Sequence, residues 1–160
     1  MLHIRLICVG KRKERFFTEA FSEYQKRLGA FCRFELIELT EERLGDRPSR
    51  AEVEAALRRE AVQIEKQLLK NGLTVCLCVE GEQMSSEAFS ELLAGAENAG
   101  RPRISFVIGS SFGLDGELKR KADRRLSMSK MTFPHHLARI ILAEQIYRAF
   151  QIREGSKYHK

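Results

Sequence analysis

Two stretches of the chain, residues 73–79 and 104–108, are apolar for the length of a β-strand with almost no polar interruption. A strand with one wet face alternates, whereas a strand covered on both faces does not, and cover on both faces is the condition of a parallel sheet. The intervening segments have helical spacing. Residues 2–9 read as a first strand ending at Gly10, and from about residue 12 to 28 Phe17, Phe21, Tyr24 and Leu28 recur on one helical face. Residues 31–39 then alternate as a second strand. Ser49-Arg50-Ala51-Glu52 is a capping box opening a helix with Val53, Leu57, Ala61, Ile64 and Leu68, which the sequence stops at Asn71-Gly72. Ser85 or Ser86 caps another helix, carrying Phe89, Leu92, Leu93 and Ala96. The expectation is an α/β fold with a mainly parallel sheet and helices on both faces.

With 160 residues the chain has room for a single domain, residues 1–160, and none for a separate recognition module. The content of 43% hydrophobic and 31% charged residues excludes a disordered chain. The aliphatic stretch Ile140-Ile141-Leu142-Ala143 is too short to cross a bilayer, and His3 and Arg5 interrupt the apolar start a signal peptide needs, so the expected location is cytoplasmic. A formal charge of +6 suits a polyanionic partner. The basic blocks Lys11-Arg12-Lys13-Glu14-Arg15 and Lys119-Arg120-Lys121-Ala122-Asp123-Arg124-Arg125 are either phosphate contacts or solvated helix faces. The four cysteines, Cys8, Cys32, Cys76 and Cys78, each fall in a strand-like run and form no CxxC pair. They read as buried free thiols, with no metal site.

Ligands of parallel sheets bind outside the carboxyl ends of the strands. One such end is Glu80-Gly81. Another is Gly109-Ser110-Ser111-Phe112-Gly113, whose small residues let backbone amides approach a ligand, or which is a plain glycine turn. Neither a dinucleotide fingerprint nor a P-loop is present. A third end follows Leu126 and leads to Pro134, which starts a last helix over about residues 136–150. That helix is apolar nearly all round, so it is either central or covered by a second subunit. Arg139 on it is costly to bury unpaired, and Glu144, near one turn away, is either its partner or a group pairing across a dimer.

Phe106-Val107-Ile108-Gly109, Leu126-Ser127-Met128-Ser129-Lys130-Met131-Thr132-Phe133-Pro134-His135, Glu144-Gln145-Ile146-Tyr147-Arg148-Ala149 and Tyr158-His159-Lys160, with Leu6-Ile7-Cys8-Val9-Gly10-Lys11 at the start, resemble the ribosomal RNA large subunit methyltransferase H family of the SPOUT class. The resemblance spans essentially the whole chain. It implies a SPOUT-type fold with a C-terminal trefoil knot, a homodimer, and methylation of N3 of a pseudouridine in 23S ribosomal RNA within the 70S ribosome, with S-adenosyl-L-methionine as donor and no metal. The cofactor-binding residues it implies are Leu77, Gly109, Met128, Ser129, Lys130, Met131, Thr132 and Phe133. Relatives usually carry a second glycine where this chain has Ser110.

An adenine needs an apolar slot, which Leu77, Met128, Met131 and Phe133 can supply. The imide proton of the acceptor must leave, so a base or an anion-stabilising group is useful. Candidates are His135, Arg139, Glu144, Tyr147, Arg148, Tyr158 and His159, of which His135, Arg139, Tyr158 and His159 are the expected catalytic set. His135 either serves the reaction or caps the last helix. Chain ends usually fray, but the resemblance implies that Tyr158 and His159 fold over the acceptor, at the partner subunit's pocket. Two rivals remain: a ribosome-associated binding protein without chemistry, and a methyltransferase acting on another RNA such as tRNA.

Overall fold

The computed structural model describes residues 1–11 and 14–160. In chain order the elements are β1 (His3–Val9), α1 (Arg15–Leu28), β2 (Arg33–Leu39), α2 (Arg50–Gln67), β3 (Leu73–Glu82), α3 (Ser86–Asn98), β4 (Arg103–Ile108), α4 (Gly116–Lys121), β5 (Arg124–Leu126) and α5 (His135–Arg153). The five strands form one sheet in the order β2-β1-β4-β3-β5, and the pairings between neighbours are all parallel.

Because side chains alternate across a strand, the sheet divides the core in two. Ile4, Leu6 and Cys8 of β1 face the cluster that takes Phe21 of α1, Leu93 of α3 and Leu142 and Ile146 of α5. Ile7 and Val9 face the opposite cluster, with Ala61 and Ile64 of α2 and Leu118 of α4. Helices therefore cover both faces, as the uninterrupted apolar runs require. The last helix is central rather than peripheral, packed between α1 and α3. Its outward strip is only partly covered, with Leu137 37% exposed.

Several boundaries differ from the sequence reading for identifiable reasons. The α2 capping box is present as read, with Ser49 Oγ accepting from Glu52 N–H and the Glu52 carboxylate accepting from Ser49 N–H. The helix ends at Gln67 rather than at Asn71-Gly72. Side chains from the sheet take over its last backbone groups: Arg5 donates to the Gln67 carbonyl at 2.8 Å, and Ser105 Oγ accepts from Leu69 N–H at 2.9 Å. Asn71 takes the left-handed conformation (φ 57°). A Cβ on Gly72 would lie 2.8 Å from the Arg103 carbonyl oxygen, so close approach to β4 is what requires that glycine.

The first helix begins at Arg15; the start near residue 12 and the middle of the first basic block, Arg12 and Lys13, lie outside the described residues. Cys32 precedes β2 rather than lying within it, and Cys78 is half-buried where burial was expected. Desolvation pushes the Cys32 and Cys76 thiols up to about 12, which leaves them protonated and unreactive.

Candidate active site

The carboxyl ends of β3, β4 and β5 open onto a cleft of about 640 Å³, within the range of sites that hold a cofactor-sized molecule. One wall is the turn after β4. Gly113 N–H donates to the Ser110 carbonyl at 2.8 Å, folding the turn back on the strand end. A Cβ at position 109 would collide with the Gly113 carbonyl oxygen and come within 2.9 Å of the Leu114 side chain. Gly109 is thus required by close approach of backbone, and Gly113 by its φ of +89°.

The opposite wall is the segment between β5 and α5. It is braced internally: Ser127 N–H donates to the Glu82 carbonyl at 2.9 Å, Ser127 Oγ donates to the Ser129 carbonyl, and Ser129 Oγ accepts from Met131 N–H at 3.0 Å. Of the residues expected to hold a cofactor, Leu77, Gly109, Met128, Ser129, Met131, Thr132 and Phe133 line the cleft. Lys130 is exposed and is not among the lining side chains. Met131 is 73% exposed at the mouth, and Phe112 faces solvent from the other rim at 49%. The floor is apolar, with Leu77, Ile108 and Leu126 at the strand ends.

Polar groups gather at two places. On the rim Lys119 meets Glu80 at 2.6 Å, which holds the Glu80 carboxyl below its ordinary range. On the wall formed by the start of α5 lies His135, the first residue of that helix, whose ring packs on that of His136 at 4.2 Å. Burial, and then the charge of Arg139, lower the His135 pKa, so the imidazole is neutral at pH 7 and free to accept a proton. Pro134, not His135, occupies the N-cap position.

Arg139 is fully buried and does not line the cleft. Its guanidinium donates to the Gly10 carbonyl and pairs with Glu38 at 3.0 Å. The expected pairing with Glu144 is replaced by one with a residue 101 positions away, because Arg139 faces the sheet while Glu144 faces outward toward the tail. Gly10 makes the close contact possible: a Cβ there would sit 3.4 Å from His135 Nε2, on a backbone with φ +101°.

The C-terminal residues are ordered by a separate network. Glu144 accepts from Arg148 at 2.6 Å and from the Tyr158 hydroxyl at 3.1 Å. Arg148 lies over the Tyr158 ring at 4.8 Å and meets His159 Nδ1 at 3.2 Å, and Tyr147 packs edge-on against Tyr158. His159 Nε2 reaches Glu87 in the first turn of α3 at 2.6 Å. Burial and the neighbouring Glu144 charge push the Tyr158 phenol up to about 12. Tyr158 and His159 are therefore brought together with Glu144, Tyr147 and Arg148, but not with the cleft of their own chain.

Two further carboxylates reach the turn after β4. Glu60 of α2 accepts from Ser110 Oγ, and Glu41 accepts from Ser111 Oγ, each at 3.0 Å. Sequence reading missed both. Glu60 falls on the stripe of Val53, Ala56 and Ile64 at helical spacing, and a carboxylate on an apolar stripe was the available signal. Among the described residues no group of three or more His, Cys, Asp or Glu side chains could hold a metal ion, and no helix is long and apolar enough to cross a membrane.

The chain is similar to known proteins over nearly its full length. The family model described as "Predicted SPOUT methyltransferase" matches residues 2–159. The chain is 48% identical over 159 residues to ribosomal RNA large subunit methyltransferase H of Streptococcus pyogenes serotype M5 (strain Manfredo), covering 99% of this chain and all of that protein. It is 47% identical over 159 residues, with the same coverage, to the protein of that name from Streptococcus pyogenes serotype M12 (strain MGAS2096). Among solved structures, a probable methylase family protein from Haemophilus influenzae Rd KW20 superimposes with a TM-score of 0.56 at 15% identity, covering 100% of this chain and 72% of that one. A probable methyltransferase from Bordetella pertussis Tohama I gives 0.57 at 15% identity, covering 92% and 96%. These two likenesses speak to the fold alone.

Proposed function

Because this chain belongs to the SPOUT methyltransferase family, we propose that it methylates N3 of a pseudouridine in 23S ribosomal RNA on the assembled 70S ribosome, with S-adenosylmethionine as donor. The observation that carries the reading is the cleft between the Gly109 turn and the 127–134 segment. The fit to the donor rests on this chain's own features. The backbone at Gly109 leaves room for no side chain, the floor is apolar, and the methionine-bearing wall supplies a slot for a flat ring. When bound, the donor supplies an electrophilic methyl carbon, and no metal enters the scheme.

The protein's work is to hold the acceptor in line with that carbon and to manage one proton. His135, neutral and lining the cleft, is placed to accept the imide proton. Arg139 has no surface in the cleft and acts as a positioning residue: it holds the Gly10 carbonyl and Glu38, and its charge adds to burial, the larger cause, in lowering the His135 pKa. Lys119 on the cleft wall and the basic residues that follow it, Arg120, Lys121, Arg124 and Arg125, are the groups for ribosomal phosphates.

The reading includes a homodimer. Tyr158 and His159 are held away from their own cleft, and Phe16, 64% exposed, and Leu137 leave apolar surface uncovered beside α1 and α5. A second copy seated there covers that surface and lets the tail of one subunit meet the cleft of the other. Residues 1–160 act as one methyltransferase domain in the cytoplasm, where ribosomes are, and the 127–134 segment belongs to a trefoil knot. The test is incubation with methyl-labelled S-adenosylmethionine and, separately, 70S ribosomes, free 23S transcript and tRNA, followed by mass spectrometry of the nucleosides. Label on N3 of a 23S pseudouridine, far greater with 70S particles, is the expected result. Label confined to tRNA, or ribosome cosedimentation without transfer, overturns it.

A further inference from the structure

The turn after β4 runs from Gly109 to Gly113 and is closed on itself by an isolated antiparallel bridge between Ser110 and Gly113, with Gly113 N–H donating to the Ser110 carbonyl at 2.8 Å. Two glycines in four steps give a segment that samples many conformations unless side chains tie it down. The tie comes from behind the cleft. Ser110 Oγ donates to Glu60 Oε1 at 3.0 Å with both residues buried, 6% and 5% exposed. The other oxygen, Glu60 Oε2, accepts from Glu42 N–H at 2.9 Å. One carboxylate on α2 thereby fastens the turn after β4 to the segment after β2. Ser111 Oγ on Glu41 adds a second, exposed link between the same two segments.

We propose that Glu60 is a positioning residue for the methyl donor: through the Ser110 hydroxyl it sets the backbone of residues 109–114 and makes the donor wall rigid before the donor arrives. The inference rests on the reading of this cleft as the donor site. Ser110 lines the cleft, while Glu60 does not and never touches the ligand. The geometry also constrains what Ser110 can say to a ligand. Its single hydroxyl proton is committed to Glu60, so toward the cleft the oxygen is an acceptor only and selects a hydrogen-bond donor on the ligand, such as an ammonium or a ribose hydroxyl. Burial raises the Glu60 pKa while the bonds from Glu42 and Ser110 oppose that rise, as for a carboxylate held by its hydrogen bonds in a dry place.

Ser110→Ala takes the donor from Glu60 Oε1, and Glu60→Gln leaves one acceptor where two are used and sets an amide N–H against the Ser110 hydroxyl or the Glu42 N–H, so either change breaks a bond of the tie and frees the turn. Ser110→Ala and Glu60→Gln are each expected to weaken S-adenosylmethionine binding about 10- to 150-fold by calorimetry, the range of one lost hydrogen bond to a charged group. The double variant should be no weaker than the weaker single one, since the two residues act as one unit. For Glu60→Gln the donor KM rises while turnover at saturating donor changes little. Hydrogen exchange without donor should show the Gly113 amide opening about tenfold faster in both variants, with β4 amides unchanged. Wild-type affinity in both single variants, additive losses in the double, or unaltered Gly113 exchange would each overturn the proposal while leaving the donor site in place. Failure of the wild-type protein to bind S-adenosylmethionine would instead sink the reading of the cleft, and this proposal with it.

Discussion

The cleft at the ends of β3, β4 and β5 is shaped by backbone and small side chains, whereas the tail bearing Tyr158 and His159 is held by long charged side chains on α5 and α3. In the first region Gly109 sits against Gly113, and serines brace both walls. In the second, Glu144, Arg148 and Glu87 grip two aromatic rings through contacts of 2.6 to 3.2 Å. Backbone packed on backbone cannot yield to an added atom, so the cleft is intolerant of growth. A network of partly exposed ion pairs loosens by degrees when one member is removed. The two also differ in completeness. The cleft is assembled within one chain, while the tail ends on its own α3, outside that cleft. One region is an open cleft, and the other is a tail packed away from it on the chain's own helices.

The largest effect should come from breaking the first region. Gly109→Val forces the turn off the strand end, and overpacking by about 3 kcal/mol corresponds to a loss of donor affinity of about 100-fold or more. Calorimetry reads the loss, and a far-UV spectrum unchanged in helix content separates it from unfolding. His159→Ala attacks the second region instead. Donor affinity should stay within about twofold while methyl transfer falls about 100-fold, the scale of a group acting at the acceptor. Mixing the two inactive proteins sharpens the contrast. A mixed dimer pairs one sound cleft with one sound tail, so activity returns on mixing if the tail works in trans, and stays absent if each chain is self-sufficient.

A pH profile probes the point where the regions would meet. With its pKa depressed by burial and by Arg139, His135 is deprotonated throughout the neutral range. Turnover should be level above pH 6.5 and fall only as pH drops through the lowered value. His135→Asn should remove that acid limb together with about 100-fold of rate. An acid limb that survives the substitution assigns the proton to another group.

How much of each region was visible in the sequence follows from the range of its interactions. Residues 104–108 announced a buried parallel strand because cover on both faces removes polar alternation; 73–79 is a parallel strand too, but only Val75 and Cys76 are buried and Val79 is 44% exposed. The small residues after Ile108 read as a loop open to a ligand or as a plain glycine turn, and the contact that Gly109 makes possible is with the Gly113 backbone of the same turn. Both are local patterns. Arg139 was recognisable as a cation needing a partner, but Glu144 was the partner sought by proximity along the helix, and Glu38 on the second strand supplied the carboxylate. Glu60 was not singled out, although it shares the stripe of Ala56 and Ile64. The α2 terminus shifted because Arg5 and Ser105, distant in sequence, take its last backbone groups. Pairings over thirty or more positions leave no periodic trace, and these fix the details of the site.

The smallest expected effect concerns how the tail is kept ready. Glu144 meets both Arg148 and the Tyr158 hydroxyl, and the phenol stands at about 12 through burial first and the Glu144 charge second. Glu144→Gln removes the charge and leaves the burial, so the Tyr158 titration followed by ultraviolet absorbance should move down from about 12 toward the ordinary phenol value of about 10. The sign for stability is set by the raised folded value: the phenol's contribution is fully present below about pH 10 and is lost as pH rises toward about 12. The substitution should narrow that window from its upper side. Because Arg148 is partly exposed, the loss in turnover at pH 7 should be about fivefold or less, far below that of His159→Ala. A Tyr158 titration that stays at about 12 in Glu144→Gln would mean that burial alone orders the tail, and the distinction drawn between a packed cleft and an ion-paired tail would fail at its second half.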